Sequence, residues 1–284
     1  MKTGRLLVIV GAMAIVGFAG TTTLVGQQTP QQITVALSDP ARPAKIELNL
    51  INGGATIKGV NRKDVLISAL PREAGANRGR GRGGRSSDTS ASTTGLRRLT
   101  QTPGFDVEEA RNEVKIDAGA PGSPIDFEIE VPLKSNLHLS LVNNANLTVS
   151  DIEGEFELEN VNGPITLTNI AGSVVAHTVN GKVTATMTRL APDKPIAFTS
   201  LNGNIDVTLP ASIKATFKLR SDQGDVFTDF DMQTRPNSAA PETRRDGGKL
   251  RIEVNNAIVG TVNGGGPEFE MRTFNGNIYV RKGR

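Results

Sequence analysis

Val161-Asn162-Gly163-Pro164-Ile165-Thr166-Leu167 and, 18 residues on, Val179-Asn180-Gly181-Lys182-Val183-Thr184-Ala185 are two copies of one pattern: apolar, Asn, Gly, any, apolar, any, apolar. The pattern also reads Ile51-Asn52-Gly53-Gly54-Ala55-Thr56-Ile57, Leu201-Asn202-Gly203-Asn204-Ile205-Asp206-Val207 and Phe274-Asn275-Gly276-Asn277-Ile278-Tyr279-Val280. Looser copies stand at Val142-Asn143-Asn144, Asp222-Gln223-Gly224 and Val262-Asn263-Gly264. Between residues 143 and 223 the steps are 19, 18, 22 and 21. A near-constant period over this many copies marks a repeat architecture.

Each copy reads as strand. Apolar and polar residues alternate after the Gly, as in Ile165-Thr166-Leu167-Thr168, and before it, as in Phe156-Glu157-Leu158-Glu159. That is period two, and Val, Ile and Thr suit a pleated, half-buried surface. Past residue 26 no stretch keeps helical periodicity for a dozen residues, so the fold class is all-β.

Two β architectures compete. Asn-Gly between alternating strands is a strong hairpin signal and would give an antiparallel meander or sandwich. Alternatively, each period of about 20 residues is one rung of a parallel solenoid, long enough for the connection that parallel strands need. Stacking explains directly why the motif returns in phase, since every corner then has the same dihedral need and every inward residue meets its own copy. The favoured expectation is a single-domain parallel β-solenoid, β-helix-like, with rungs of about 20 residues. Bare ends would template aggregation, so the outer segments 33–70 and 258–280 are expected to cap it.

Composition agrees. The 284 residues hold 31 Gly, no Trp, one Tyr and no Cys, with 4% aromatic and 37% hydrophobic residues. A narrow interior filled by ladders of small branched side chains tolerates few large rings. Without cysteine there is no disulfide, thiolate metal site, Cys nucleophile or lipid-modified N-terminal cysteine.

Lys2 and Arg5 precede an apolar run from Leu6 to Ala19, then Thr21-Thr22-Thr23, Leu24-Val25-Gly26 and Gln27-Gln28. This describes a secretory signal. Uncleaved, the stretch from Leu6 to Val25 just suffices as a membrane-anchoring helix. Residues 1–26 are therefore expected to be a signal peptide or anchor helix, and 27–284 an exported β-strand-repeat domain. Net charge is +3, and residues 71–100 carry seven arginines against Glu73 and Asp88. Segments 74–96 and 233–248 have few apolar residues and are expected to be disordered insertions between strands.

The Asn-Gly units, Ser38-Asp39-Pro40, Val131-Pro132-Leu133 and Thr261-Val262-Asn263-Gly264-Gly265-Gly266-Pro267 together resemble the bacterial putative-adhesin family of β-strand-repeat proteins, a domain of unknown function. The resemblance covers about residues 33–280. It implies export and a β-solenoid-like fold, and it supplies no reaction and no active site to carry over. The arginine-glycine insertion at 78–85 departs from the family core.

Each candidate group has a structural reading beside the chemical one. Asn52, Asn162, Asn180, Asn202 and Asn275, with Gly53, Gly163, Gly181, Gly203 and Gly276, are read as structural turns and a stacked amide ladder, because Asn and Gly tolerate left-handed dihedrals at a tight corner. Arg78, Arg80, Arg82 and Arg85 could contact an anionic surface such as lipid or envelope polysaccharide; in an exported chain nucleic acid is not expected. Asp222, Asp225, Asp229 and Asp231 could bind calcium, but the Gly-rich nonapeptide is missing. Glu128 and Glu130 share a strand face and could serve a glycosidase, while His138 and His177 lie in separate strands with no partner visible by spacing. No nucleophile elbow, phosphate loop or His-Glu-x-x-His occurs. The expectation is a non-catalytic adhesin or envelope binding or structural protein of the periplasm or cell surface, without cofactor or metal, presenting a repetitive polar face to an envelope polysaccharide, surface glycan or protein; a third reading is a structural envelope component with no ligand. The alternative is a carbohydrate-active enzyme, a polysaccharide lyase or hydrolase, on the same scaffold.

Overall fold

The computed structural model describes residues 30–72, 104–118, 124–143, 146–191, 194–235, 242–246, 249–253 and 257–283. The signal or anchor expected over 1–26 and the insertion at 74–96 lie outside them. Every element among the described residues is a strand. In chain order they are β1 (Gln31–Ala36), β2 (Ala44–Val60), β3 (Asp64–Pro71), β4 (Asp106–Ala110), β5 (Glu113–Ala118), β6 (Ile125–Pro132) and β7 (Ser135–Asn143). Then follow β8 (Leu147–Ser150), β9 (Glu153–Asn162), β10 (Ile165–Asn180), β11 (Val183–Leu190), β12 (Ile196–Asn202), β13 (Ile205–Pro210) and β14 (Ala215–Gln223). The chain ends with β15 (Val226–Thr228), β16 (Gln233–Arg235), β17 (Glu242–Asp246), β18 (Lys249–Glu253), β19 (Ile258–Val262), β20 (Glu268–Asn275) and β21 (Ile278–Gly283).

All but β17 and β18 join one 19-stranded sheet. It coils into a solenoid-like stack with two walls. Each rung crosses the first wall, turns at its Asn-Gly corner and returns along the second. The core stack is parallel: in the first wall β5, β2, β7, β9, the second half of β10, β12, β20 and β14. In the second wall the order is β6, β2, β8, the first half of β10, β11, β13, β21 and β15.

Alternation decides what faces inward. Leu147, Ile165, Val183, Ile205 and Ile278 stand in register on successive rungs and have no exposed surface. Val149, Leu167, Ala185, Val207 and Val280 form the next such row. Each buried branched side chain contributes about 1.5–3 kcal/mol of transfer free energy. The few large rings sit where a neighbour can take them: Phe217 and Phe269, on adjacent rungs, lie 5.1 Å apart.

Two rungs are out of sequence order. The β2 rung lies between β5–β6 and β7–β8, and the β20–β21 rung between β12–β13 and β14–β15. The expectation that 33–70 and 258–280 form the caps is therefore corrected for β2, β20 and β21, which are interior. The capping strands are antiparallel: β3 covers β6 and β1 covers β3, β4 covers β5, and β19 covers β14 with β16 beyond it. Reversing direction at the ends halts the parallel stack, which manages the edge hazard.

Within the segment expected as an insertion over 233–248, β16 stands at the start, paired with β19, and β17 pairs with β18, just beyond it, in a separate antiparallel hairpin.

Candidate binding face

The corners bring the repeated asparagines together. Asn162 Nδ2 donates to Asn143 Oδ1 at 3.4 Å, Asn180 to Asn162 at 2.9 Å, Asn202 to Asn180 at 2.8 Å and Asn275 to Asn202 at 2.8 Å. Asn52 pairs in register with Asn143 at the start of this row. The glycines that follow are in backbone contact. A Cβ on Gly181 would lie 2.0 Å from the Gly163 carbonyl oxygen, one on Gly203 would lie 2.1 Å from that of Gly181, and one on Gly276 would lie 2.3 Å from that of Gly203. Gly53 sits at φ 131 with the Ile125 carbonyl oxygen 1.7 Å from a would-be Cβ. Only glycine fits such an approach.

A second ladder runs inside the first. Two residues before the corner, Thr178 Oγ1 donates to the Gly163 carbonyl at 3.1 Å, and Ser200 Oγ to that of Gly181 at 2.9 Å. Thr273 Oγ1 likewise donates to Gly203 at 2.9 Å, and Ser221 Oγ to Gly276 at 2.8 Å. Thr178 and Thr273 are fully buried. These hydroxyls staple each rung to the next. Their signal, a Ser or Thr two positions before the Asn or Gln, stands in the sequence just ahead of the Asn-Gly pattern.

Outward-facing hydroxyls behave differently. On the outer side of the second wall Thr56, Thr148, Thr166 and Thr184 form one row across successive rungs. Beside it Ser150 is in register with Thr168, and Thr186 with Thr208, the two pairs separated by a bulge in β10 after Leu167. None of these hydroxyls has a hydrogen-bond partner among the described residues. Rows are spaced by about 4.8 Å between rungs and about 6.7 Å along a strand. The plane ends at one side in Asp206, Tyr279 and Phe227, which are also in register. Tyr279 and Phe227 stack with centroids 5.2 Å apart, and Phe227 remains 47% exposed. Arg281 lies over the Tyr279 ring and grips Asp206 with two hydrogen bonds of 2.8 and 3.1 Å. That carboxylate holds the Arg281 guanidinium above its ordinary pKa.

The first wall shows the opposite character. An open groove there is lined by Lys45, Glu47, Asn136, His138, Glu155 and Glu157. Its charges are mutually satisfied: Lys45 with Glu113 at 2.7 Å, Lys115 with Glu47 at 3.3 Å, Lys194 with Glu155 at 3.2 Å. Its hydrogen bond to Glu113 raises the Lys45 pKa. Burial pushes the Glu47 carboxyl up, but hydrogen bonds from Asn49 and Lys115 outweigh it and the net direction is down.

The histidines are brought closer than their spacing suggested. His138 Nδ1 is 2.9 Å from Glu157, and His177 is registered beside Glu159, so both flank β9. Glu128 and Glu130 do share a face, but Arg62 binds Glu130 at 2.5 Å and Asp64 at 2.7 Å. Asp222 is taken by Arg220, and Asp229 accepts the Lys282 amide. No cluster of three or more His, Cys, Asp or Glu that could hold a metal ion occurs among the described residues. Arg78, Arg80, Arg82 and Arg85 lie outside them. No helix among the described residues is long and apolar enough to cross a membrane.

Residues 134–262 match the Toastrack family, DUF4097, the domain of unknown function that the repeats resemble. The matched stretch runs from the β7 rung to the end of β19. A putative cell adhesion protein from Clostridium sporogenes is similar in structure, with 13% identity, a TM-score of 0.46, and coverage of 90% of this chain and 100% of that one. A putative adhesin from Bacteroides fragilis has 9% identity and a TM-score of 0.32 over 90% of this chain and 98% of its own. With TM-scores below 0.5, neither likeness bears on ligand or chemistry. No curated protein matches the chain.

Proposed function

We propose that the chain is an exported, non-catalytic binding protein of the cell envelope, holding a repetitive polar face toward an extended partner in the periplasm or at the cell surface. The supporting observation is the contrast between two sets of hydroxyls. Those inside the stack are bonded to glycine carbonyls, whereas Thr56, Thr148, Thr166 and Thr184 on the outer second wall stand in register with no hydrogen-bond partner among the described residues; farther along β11, Thr188 does bond the Ile170 carbonyl. Stacked rungs make such surfaces long, flat and periodic. In this reading residues 1–26 direct export, 27–284 form one domain, and Arg78, Arg80, Arg82 and Arg85 add contact with anionic envelope material. The enzyme alternative loses support where Arg62 occupies Glu130. The test is sedimentation of the purified full chain with envelope fragments of the producing cells, beside protease accessibility of a tagged copy on intact cells. Co-sedimentation of a protein found outside the inner membrane is expected. A chain that stays in the supernatant, or that resists protease until the cytoplasm is opened, would refute the reading.

A further inference from the structure

The outer second wall carries enough chemistry to name a ligand class, an inference that rests on the binding role proposed above. We infer that this face is a site for a neutral, extended glycan lying along the stack, with Phe227 and Tyr279 as the platform for one of its rings.

Charge is the first argument. From β8 to β11 the two hydroxyl rows contain no charged side chain. The charges around them are Lys182 at one corner, Asp151, bonded by Asn169, at the other, Lys58 with Glu128, Glu130 and the paired Asp126 and Arg72 at one end, and Arg281 at the other end, already held in a two-bond fork by Asp206. An anionic polymer would find no free row of cations here, and a cationic one no free row of acids.

Hydrogen-bonding capacity is the second. A threonine hydroxyl both donates and accepts, as does each hydroxyl of a sugar. A periodic array of unbonded hydroxyls therefore meets a polyol in either sense, directly or through bridging water. The Asp206–Arg281 fork adds a fixed acceptor edge and donor edge beside the ring.

The third is the distribution of apolar surface. Ile51, Val161, Leu201 and Phe274, all exposed, stand on the first wall beside the corner, whereas on the second-wall face the large exposed apolar residue is Phe227. A protein interface has a buried apolar core, and this plane has none. A sugar ring needs one aromatic face for its C–H groups, and Phe227 is covered by Tyr279 on one side while remaining 47% exposed.

The experiment is affinity electrophoresis of the full chain through gels containing hydroxyethylcellulose, a neutral glucan, or alginate, an anionic one, with cellohexaose as soluble competitor. Retardation by the neutral polymer, reversed by cellohexaose, is expected. Phe227→Ala and the pair Thr166→Val with Thr184→Val should each weaken it at least fivefold. Val161→Ser, on the first wall, should leave it unchanged. Retardation by alginate alone, by neither polymer, or equally in all variants would overturn the assignment. If the chain still sediments with envelope fragments in those cases, the binding role stands and only this ligand class and face fall. If it does not sediment, the binding role itself has failed.

Discussion

Replacing Thr273 by Val removes one hydroxyl and changes almost nothing else. The side chain keeps its shape and β-branching, so strand propensity and packing volume are preserved. Thr273 is fully buried, and its Oγ1 is 2.9 Å from the Gly203 carbonyl. The carbonyl is left without this partner, and an orphaned buried acceptor costs about 1–3 kcal/mol. The same substitution at Thr166, whose hydroxyl faces outward and has no protein partner, should fall within about 0.5 kcal/mol of zero. In thermal unfolding of the full chain, about 2 kcal/mol corresponds to a drop of about 4–8 °C for a domain of this size. Differential scanning calorimetry on Thr273→Val, Thr166→Val and Thr273→Ser separates the cases. Thr273→Ser keeps the bond and should sit between them, losing about the transfer energy of one methyl group. Equal midpoints for Thr273→Val and Thr166→Val would refute the division of hydroxyls into inner staples and outer ligands for solvent or partner.

Further expectations concern the corners and acid stability. Gly203→Ala forces a Cβ to within 2.1 Å of the Gly181 oxygen, and overpacking against backbone should destabilise by about 2 kcal/mol or more in urea titration. Asn180→Ala removes two exposed amide bonds, to Asn162 and from Asn202, and should cost about 1 kcal/mol by the same titration. The depressed Glu47 pKa makes a pH-dependent contribution. That stabilisation is complete above the unfolded carboxyl value of about 4.3 and is lost as pH falls through the lower folded value. Glu47→Gln should accordingly flatten the fall in urea midpoint between about pH 5 and pH 3.

The rung and its corner were legible because both have a local cause. Alternation in Ile165-Thr166-Leu167 places the strand, and Asn162-Gly163 places the turn. The order of the rungs was not legible, for a physical reason. Copies that share one inward pattern are interchangeable as neighbours, so Leu201-Asn202-Gly203 is as compatible with Asp222-Gln223-Gly224 as with Phe274-Asn275-Gly276. What distinguishes them is the long excursion through β16 and β19, whose pairings carry no periodic signal. The aromatic end of the proposed binding face is hidden in the sequence for the same cause. Asp206, Tyr279 and Phe227 are distant in sequence and meet only because β21 lies between β13 and β15. The inner hydroxyls were within reach, since Thr178, Ser200, Ser221 and Thr273 all hold one position relative to the corner.

That intercalated rung underlies both the stapled interior and the proposed ligand platform, and the absence of cysteine from the chain makes it directly testable. Neighbouring rungs place Cα atoms about 4.8 Å apart, inside the disulfide range of about 4.4–6.8 Å. Next-but-one rungs are about 9.6 Å apart. Cysteines are placed at Asn202 and Asn275 in one variant, and at Asn202 and Gln223 in another, and each is oxidised under mild conditions and mapped by peptide mass. A disulfide in the first pair and free thiols in the second is the predicted result, because Asn202 pairs with Asn275 and Asn275 with Gln223. A bond between positions 202 and 223, with the first pair left reduced, would show a stack that follows sequence order and would contradict the account.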